Sequence, residues 1–500
     1  MKHPACTVRA CVRALLLLPA TLAAGCAVGP NYHRPTATIT PVYKENQNWK
    51  PANPRQIPAD QPWWSIYDDP LLDGLERQVV VNNQTLKQAE AAYRAAQAVI
   101  MIDRGTLLPD LTIGGSDTHA GAAGGQVNSQ NAQLGGRGSG FTTPKYIKYA
   151  TASVQAQASW TLDIWGKIRR EVESDTARAQ ASAADVAAAL LSAQVSLAED
   201  YFRMRAAEQE ERMYQTYLAD LEQSLQITQN QVRAGITTLA DVYQAQTLLE
   251  NTQVAAINVN LTRATFEHAI ATLIGKVPEQ LSLPQGSFNT AIPVVPVGLP
   301  SQLLERRPDI AAAERTVASE NALIGVAESA WFPNLTLTGS AGFTSSKLAG
   351  LLSAANTAWS FGPQVAETIF NGGARIGQNR EARANYDQSV ASYRQTVLSA
   401  FEAVENDLVT LRVLEQSQGL QVTAVGAARL SENLTLNQYK SGIVSFTSVI
   451  TAQTTRLESE INLLSIQSEQ LVTSVDLVSQ TGGGWNASDL QLANRGVPKS

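Results

Sequence analysis

Residues 150–163 alternate between apolar and polar side chains without interruption. Successive side chains of a β-strand point to opposite faces, so an extended chain here would have one apolar and one polar face. The apolar set is Ala150, Ala152, Val154, Ala156, Ala158, Trp160 and Leu162, and the polar set is Thr151, Ser153, Gln155, Gln157, Ser159, Thr161 and Asp163. This period of two predicts a strand over about 148–163. Similar patterns predict strands over about 110–120, 334–344 and 357–369.

These strands have the pattern of a transmembrane β-barrel, in which about 9–11 residues cross the bilayer. Trp160 and Trp359 suit the membrane–water interface, and no strand centre carries Lys or Arg. A half-buried soluble sheet would show the same alternation, so that alternative stays open. Four strands cannot close a membrane barrel, and an open sheet edge in lipid leaves backbone groups unpaired. Membrane-spanning strands would therefore require several copies of the chain, in a number that the sequence does not fix.

Each predicted strand pair is followed by a long stretch with helical composition. Proline is absent from residues 145–277 and 364–497, and glycine is absent from residues 167–234. Both residues disfavour helix interiors, so their absence predicts very long helices. Alanine-rich helix faces and an aromatic content of only 6% favour a hollow helical tube over a solid globule.

We expect each long stretch to form a helical hairpin with its turn near 204–208 in the first stretch and 411–415 in the second. Gly235 and Gly442 would then break the returning helix, and further helical segments would begin at about Leu239 and Phe446. A mixed equatorial belt would form from the segments around 236–250 and 443–460 together with the chain termini.

The second half of the chain repeats the first. Pro109-Asp110-Leu111-Thr112-Ile113 corresponds to Pro333-Asn334-Leu335-Thr336-Leu337, 224 residues later (333 minus 109). Gly235 corresponds to Gly442, 207 residues later (442 minus 235). The predicted fold class is therefore α+β and internally duplicated. The predicted divisions are 1–25 as a signal peptide, 26–70 as an extended equatorial segment, 71–290 as the first repeat, 291–480 as the second repeat and 481–500 as a tail.

The N-terminal residues predict export and lipidation. Lys2, Arg9 and Arg13 precede a short apolar run, and Leu22-Ala23-Ala24-Gly25-Cys26 is similar to the lipobox of bacterial lipoproteins. Cys26 would become the lipidated first residue, carrying N-acyl and S-diacylglycerol groups. An ordinary signal peptide with an incidental cysteine is the alternative. Lipid on Cys26 would anchor the chain without spanning the membrane.

Charge and composition exclude several function classes. The net charge is −6, and loss of the three basic residues in 1–25 would make it −9, so nucleic-acid binding is not expected. No later stretch has about 18 consecutive apolar residues, so no transmembrane helix is predicted. The four His residues lack ligand-like spacing, and no phosphate loop, nucleophile elbow or HExxH motif occurs. We therefore expect neither an enzyme nor a cofactor or metal site.

Several motifs together resemble the outer-membrane factors of tripartite efflux systems, the TolC-like channels, and in particular their lipoprotein branch. They occur in family order from residue 26 to near the end of the chain. Asn371 and Thr161 depart from the residues that relatives often carry, Asp and Glu respectively. The matching stretches are Cys26-Ala27-Val28-Gly29-Pro30-Asn31-Tyr32, Trp63-Trp64-Ser65-Ile66-Tyr67-Asp68-Asp69-Pro70-Leu71, Leu162-Asp163-Ile164-Trp165-Gly166-Lys167, Glu305-Arg306-Arg307-Pro308-Asp309-Ile310, Ile369-Phe370-Asn371-Gly372-Gly373 and Gly482-Gly483-Gly484-Trp485.

The resemblance implies a homotrimer with a twelve-stranded barrel in outer-membrane lipid, continuous with a twelve-helix tube in the periplasm. It also implies two protein partners, a periplasmic adaptor (membrane fusion) protein and an inner-membrane pump of the resistance-nodulation-division type. The channel would be passive and would export drugs or other toxic compounds. The exported substrate and the resting state of the pore are not predicted.

The resemblance also implies closure of the tube at its periplasmic tips, with acidic residues around the aperture. With the turns placed near 204–208 and 411–415, Asp200 and Asp407 would each lie just before a tip. In a trimer these two positions would supply six carboxylates, which would attract cations and raise one another's pKa. Asp407 is the first candidate, supported by Glu405, and Arg205 and Arg412 are candidates for ion pairs that hold the closed state. Solvated helix faces are the alternative interpretation.

Two other functions stay open. A lipid-anchored coiled-coil scaffold would not need the paired amphipathic strands, and would form no pore. An outer-membrane channel for type I protein secretion would share the architecture, and only the resemblance of the lipobox and of the Gly482–Trp485 ending favours small-molecule efflux.

Overall fold

Apart from the first helix, the described helices and strands occur twice in the same order. The computed structural model describes residues 27–37, 43–46, 62–122, 147–289, 291–293 and 305–487. The first set is α1 (Pro70–Asn82), α2 (Gln84–Gly105), β1 (Asp110–Ala122), β2 (Ile147–Leu162), α3 (Lys167–Arg233) and α4 (Leu239–Leu273). The second set is α5 (Pro308–Ser329), β3 (Asn334–Ser345), β4 (Thr357–Ala366), α6 (Ala374–Lys440) and α7 (Phe446–Gln480). Corresponding helices have equal lengths: 22 residues for α2 and α5, 67 for α3 and α6, and 35 for α4 and α7.

The strands form one antiparallel sheet in the order β1-β2-β3-β4. Its register places apolar residues opposite apolar residues, as in the pairs Val154 with Phe343 and Trp160 with Leu337. Directly opposite residues share a face, so the alternation of β2, β3 and β4 gives the sheet one mainly apolar and one polar face. In β1, Asp117 and His119 interrupt the apolar face, since they lie opposite Ala152 and Ala150. Trp359, at 78% exposure, is on the apolar face. The last strand, β4, ends at Ala366, three residues before the predicted end.

The sheet joins the two repeats, because β2 belongs to the first and β3 to the second. The chain accordingly forms two compact units that cut across the repeats. Among the described residues, one unit comprises 27–33, 97–122, 147–177 and 318–387 and contains the sheet. The other lies within 34–96, 178–317 and 388–487 and contains most of the long helices. Sequence duplication and compact units are thus different divisions of this chain.

The predicted turns near 204–208 and 411–415 are wrong, because α3 and α6 run through them without a break. Each helix has 67 residues, which corresponds to about 100 Å at 1.5 Å per residue. No glycine or proline lies in either predicted turn. Met204 and Leu411 are instead buried among helix neighbours, so packing stabilises the helix there.

The hairpins turn at the two corresponding glycines. Gly235 has a φ of 74° and Gly442 a φ of 71°, the left-handed conformation that a residue with a Cβ rarely adopts. In both turns the amide of the glycine and that of the following isoleucine donate to carbonyls of the last helical turn at 2.9 Å. These bonds satisfy carbonyls that the helix end leaves unpaired.

The equatorial prediction is also wrong in part. Residues 236–250 and 443–460 lie at the hairpin turns and in the first turns of α4 and α7, not beside the middle of the long helices. The segments that pack beside the middle of α3 and α6 are 43–46, 62–82 and 278–289, which we call the equatorial segments. Their apolar side chains enter the largest buried cluster among the described residues: Tyr43, Trp63, Trp64, Tyr67, Leu72, Leu75, Val79 and Leu283, packed with Leu197, Phe202, Val404 and Leu408.

A buried ionic network fastens the equatorial segment 278–289. Glu208, which is fully buried on α3, binds Arg205 at 2.6 Å and Arg263 of α4 at 3.0 Å. The two arginines also donate to the carbonyls of Pro284 and Leu283. Removing one member of such a network would leave a buried charge without its partner, so the network fixes the position of this segment.

By length and composition, one described helix is apolar enough to cross a membrane. It is α3, in which an 18-residue window has a mean hydropathy of 1.4 and is 39% buried. The sequence prediction counted uninterrupted apolar residues, whereas this window admits up to two charged ones.

Substitution of Gly442 by alanine should destabilise the protein. The φ of 71° would cost about 1–2 kcal/mol with a Cβ, although no atom lies within 4 Å of the added carbon. Gly419→Ala is the matched control, since Gly419 lies inside α6, has equally open surroundings and should gain helix propensity. We expect the apparent melting midpoint, followed by circular dichroism at 222 nm, to fall in Gly442→Ala and to stay or rise in Gly419→Ala. Equal midpoints for the two variants would contradict the role of the left-handed turn.

Candidate functional site: the hairpin ends and the strand sheet

The polar face of the sheet carries uncharged hydrogen-bonding side chains that pair across strands. Ser340 and Ser360 are 2.8 Å apart between hydroxyl oxygens, and Ser116 and Ser153 are 3.0 Å apart. Gln155 donates to the hydroxyl of Thr344 at 3.0 Å. Hydroxyl and amide groups can solvate polar cargo or water without favouring either sign of charge. This face therefore suits the lining of a water-filled pore.

At the hairpin ends, a small apolar cluster joins the helices of both repeats. The ring of Tyr439, near the end of α6, lies 5.3 Å from that of Phe446, the first residue of α7. Both are buried with Val449 of α7 and Ala245 of α4. The amide of Gln231 on α3 donates to the carbonyl of Tyr439.

Polar contacts extend this connection along α3. Gln453 of α7 donates to the hydroxyl of Ser224 at 2.9 Å, and both residues are buried. One turn further along α7, Arg456 binds Asp220 at 2.8 Å. The hydroxyl of Tyr439 donates to that of Thr228 at 3.3 Å. We call these three contacts between α3 and the second hairpin the inter-hairpin contacts. They depend on polar groups from different helices, so they can break and re-form when the helices separate.

Large apolar side chains are exposed around both turns. Ile236 is 65% and Ile443 72% exposed, and Leu239 and Tyr243 at the start of α4 are also exposed. Apolar residues gathered on a surface in this way are typical of a protein-interaction site. This surface is absent from the predicted sites, because the predicted helical turns lie elsewhere in the chain.

The candidate gate residues lie about 30 residues before the hairpin turns. Glu405 accepts hydrogen bonds from the backbone amides of Lys44 at 2.7 Å and Glu45 at 2.9 Å. Arg412, two turns further along α6, binds the carboxylate of Glu45 at 2.5 Å. These two residues therefore hold the equatorial segment 43–46 against α6. Because α6 does not turn here, they do not lie at a helical tip.

Arg205 is likewise next to equatorial segments. Arg205 belongs to the Glu208 network, and its guanidinium lies 5.0 Å from the centre of the Tyr201 ring. The hydroxyl of Tyr201 donates to Asp69 at 2.6 Å. Asp200 is half-buried on α3, and burial raises its pKa. The predicted ion pairs of Arg205 and Arg412 with the tip acids are absent from the described residues, since each arginine binds a different acid.

The last candidate, Asp407, faces other acids. Burial and the nearby carboxylate of Asp476 raise its pKa to about 7, although Arg307 opposes the shift. Its Oδ2 atom is buried and lacks a hydrogen-bond partner among the described residues. Burial and a hydrogen bond with Asp476 also raise the pKa of Glu199. The structure thus brings together three acids from α3, α6 and α7, of which the sequence indicated only Asp407.

Glu76 is a buried acid that is not among the residues predicted from the sequence. It is 0% exposed on α1, between Leu72, Leu75 and Val79, and neither carboxylate oxygen has a partner among the described residues. Burial alone raises its pKa to about 9. The signal was present in the sequence, since Glu76 interrupts the apolar face of a short helix.

Cys26 and residues 1–25 lie outside the described residues, but the chain directly after Cys26 is firmly held. Arg170 donates to the carbonyls of Val28 and Gly29, both at 3.1 Å. Gly29 has a φ of 98° and packs so closely on Gly325 that a Cβ would lie 2.4 Å from its Cα. Among the described residues, no group of three or more His, Cys, Asp or Glu is placed to hold a metal ion.

Residues 75–276 and 299–483 match the model of a protein family described as outer membrane efflux protein. The two matched segments correspond to the two structural repeats and cover most of the chain. The chain belongs to the outer membrane efflux protein family. It is 29% identical to the antibiotic efflux pump outer membrane protein ArpC of Pseudomonas putida over 480 residues, 94% of this chain and 95% of the relative. It is 26% identical to the cation efflux system protein CusC of Escherichia coli over 468 residues, 92% of this chain and 96% of the relative.

The chain is also similar to solved structures of outer-membrane channels. The outer-membrane channel OprN has a TM-score of 0.83 and 29% identity, covering 92% of this chain and 100% of that chain. The predicted α+β channel fold, with a helical barrel and membrane strands, is confirmed. Members of this family are outer-membrane efflux channels that extend into the periplasm, and they are not enzymes. Membership implies a trimeric channel that works with an adaptor and a pump.

The acids around Asp407 should make stability depend on pH. A raised pKa means that the folded protein keeps a proton which the unfolded chain, with an Asp pKa near 3.9, has lost. Stability due to this group should therefore fall as the pH rises from about 4 to about 7. Asp407→Asn keeps the shape without the charge, so we expect its melting midpoint to equal that of the natural protein at pH 4 and to exceed it by about 2–4 °C at pH 8.

Glu402→Gln, an exposed change on the same helix, serves as the control. Its melting midpoint should differ from that of the natural protein by the same amount at pH 4 and at pH 8. If the melting midpoint of Asp407→Asn differs from that of the natural protein by the same amount at both pH values, the surroundings do not hold the carboxyl group of Asp407 protonated.

Proposed function

We propose that this chain is the passive outer-membrane exit channel of a tripartite efflux system and that its periplasmic aperture lies at the hairpin ends. The adaptor protein and an inner-membrane pump of the resistance-nodulation-division type would open it, and the pump would supply the energy. The observation that carries the proposal is the set of inter-hairpin contacts, which join α3 to the second hairpin close to both turns.

A homotrimer is supported by surfaces that one chain leaves uncovered. Tyr243, Val254, Ile257 and Leu261 lie on one face of α4 at helical spacing and are 58–69% exposed. On α6, Val413, Leu420 and Leu434 recur with the spacing of a heptad and are also exposed. Neighbouring copies would cover both stripes. Three copies of the four-stranded sheet would supply the twelve strands of a closed barrel.

The adaptor would bind the exposed apolar side chains at the turns. Ile236 and Ile443 occupy the same position in both repeats, so a trimer would present six such sites. An adaptor that binds there could pull the hairpins apart and break the inter-hairpin contacts. The free energy of adaptor binding would then favour the open state of the pore over the closed state.

The exported compounds would be selected by the pump more than by this channel. ArpC is named for antibiotic efflux and CusC for cation efflux, yet both are similar to this chain over almost its whole length. The uncharged polar face of the sheet is compatible with a lining that accepts many compounds. We propose antibiotics and other toxic small molecules as its cargo.

Loss of an inter-hairpin contact should open the pore. We expect Gln453→Ala to raise the single-channel conductance in a planar bilayer several-fold, because α7 loses its buried bond to α3. Gln421→Ala is the matched control, since Gln421 donates to the Ser459 carbonyl within the second hairpin and makes no contact of this kind with α3. Asp407→Asn, at mid-helix, should also leave the conductance unchanged. If the conductance rises in Asp407→Asn and not in Gln453→Ala, the gate would be formed by the acids around Asp407. If no form of the protein conducts, the proposal of a channel would be contradicted.

Lipidation of Cys26 completes the proposal. Residues 27–31 are held by Arg170 and Asn321 close to the beginning of α3, so acyl chains on Cys26 would reach the membrane beside the sheet. Cells grown with labelled palmitate should incorporate label into the natural protein and not into Cys26→Ser. Mass spectrometry of the N-terminal peptide should show Cys26 with three acyl chains. An unmodified cysteine in the membrane fraction would contradict the lipid anchor.

A further inference from the structure

An open groove lies where the sheet meets the helices, next to the first described residues of the chain. Its volume is about 460 Å³, and it is lined by Val28, Glu328, Trp331, Phe332, Ile376, Asn379, Arg380 and Arg383. Trp331 and Phe332 precede β3, and Ile376 to Arg383 form the first turns of α6. The groove therefore lies at the base of the strands, at the periplasmic boundary of the membrane.

The apolar side of the groove is rigid. Phe332 stacks on Trp165 with ring centres 4.6 Å apart, and the indole of Trp165 donates to the Pro333 carbonyl at 2.9 Å. The amide of Val28 donates to the carbonyl of Trp165. Trp331 is 48% exposed in the groove. Tryptophan in this position is typical of the membrane interface, where an apolar ring meets lipid headgroups.

The polar side of the groove has an excess positive charge. Arg383 is neutralised by Glu328 at 2.8 Å and is also fixed by the amide oxygen of Asn379 at 3.0 Å. Arg375, beside the groove, binds Glu367 at 2.9 Å. Arg380 has no ion pair or hydrogen bond with another described residue, and its side chain is exposed in the groove. One cation thus stays available in a chain whose net charge is −6.

We propose that this groove binds an anionic phospholipid of the membrane leaflet that faces the periplasm. The phosphodiester would accept charge-assisted hydrogen bonds from Arg380, and the start of an acyl chain would lie against Trp331 and Ile376. The charge of the groove matches a phosphate, and its apolar lining matches the adjoining hydrocarbon. The proposal rests on the outer-membrane location and does not require lipidation of Cys26.

The experiment titrates the purified full-length trimer in detergent with phosphatidylglycerol and follows the melting midpoint. We expect a saturable rise for the natural protein, with half-saturation about tenfold weaker in Arg380→Gln, which loses one charged hydrogen-bond donor. Arg104→Gln is the matched control, because Arg104 is an exposed arginine at the junction of α2 and β1, outside the groove. It should bind phosphatidylglycerol as the natural protein does. Phosphatidylcholine should bind more weakly, since its quaternary amine would meet the arginines.

A second measurement locates the lipid. Phosphatidylglycerol brominated on its acyl chain should quench the fluorescence of the natural protein, and Trp331→Phe should lose part of that quenching.

Four results would overturn the proposal. Equal weakening in Arg104→Gln would indicate general surface charge, and protection by inorganic phosphate alone would indicate a simple anion site. A lower midpoint of Arg380→Gln before any lipid is added, with unchanged lipid response, would indicate a contact between copies of the chain. No response of the natural protein to phosphatidylglycerol would indicate that the groove is closed or filled by its own Cys26 acyl chains.

Discussion

A bilayer offers no hydrogen-bond partner to backbone amides and carbonyls, and the sheet of this chain has two edges that its own described strands leave unpaired. β1 pairs only with β2, and β4 pairs only with β3. An unpaired edge in hydrocarbon costs several kcal/mol for each exposed group. A single copy is therefore not a stable membrane structure. Pairing β1 of one copy with β4 of the next satisfies both edges with the same interface, so oligomerisation is a requirement of the backbone before it is a property of any side chain.

Pairing the sheets of neighbouring copies in this way also determines where the long helices begin. Each strand pair is followed by a 67-residue helix, so strands that close into a ring bring together the first turns of α3 and α6 from all copies. Long helices of modest hydrophobicity need support along their length, because an isolated helix gains little stability from propensity alone. The equatorial segments supply it at mid-length, through Trp63, Tyr67 and Leu75 in the largest buried cluster. The Glu208 network and the bonds of Glu405 and Arg412 hold those segments in place.

The elements that could be predicted from sequence are those with a local physical cause. Strand positions follow from alternation, and the ends of α3 and α6 follow from Gly235 and Gly442, where a left-handed turn is required. The predicted turn near 204–208 is wrong because that stretch contains no residue that ends a helix. Asp200 therefore does not lie at a helical tip, which was the basis of its predicted gating role. The proximity of Glu199, Asp407 and Asp476 has no local signal, since the three residues come from distant parts of the chain.

The inter-hairpin contacts were unpredictable for the same reason, and they make the two repeats unequal. Ser224 and Asp220 of α3 bind Gln453 and Arg456 of α7. The residue that corresponds to Arg456 in the first repeat is Leu249, which is buried with Tyr217 in an apolar cluster and can form no such bond. Duplication has preserved helix lengths and turns while the polar contacts have diverged.

The same divergence occurs at the first turns of α4 and α7. Asp241 accepts hydrogen bonds from the hydroxyl of Thr237 and the amide of Thr238, and its charge stabilises the N-terminus of α4 by about 0.3–1 kcal/mol. In the second repeat Ser448 takes the place of Asp241 and supplies no charge. The beginning of α4 is thus fixed by its own cap, whereas the beginning of α7 depends on Tyr439 and on α3. A force that separates the helices at this end would therefore release the second hairpin before the first.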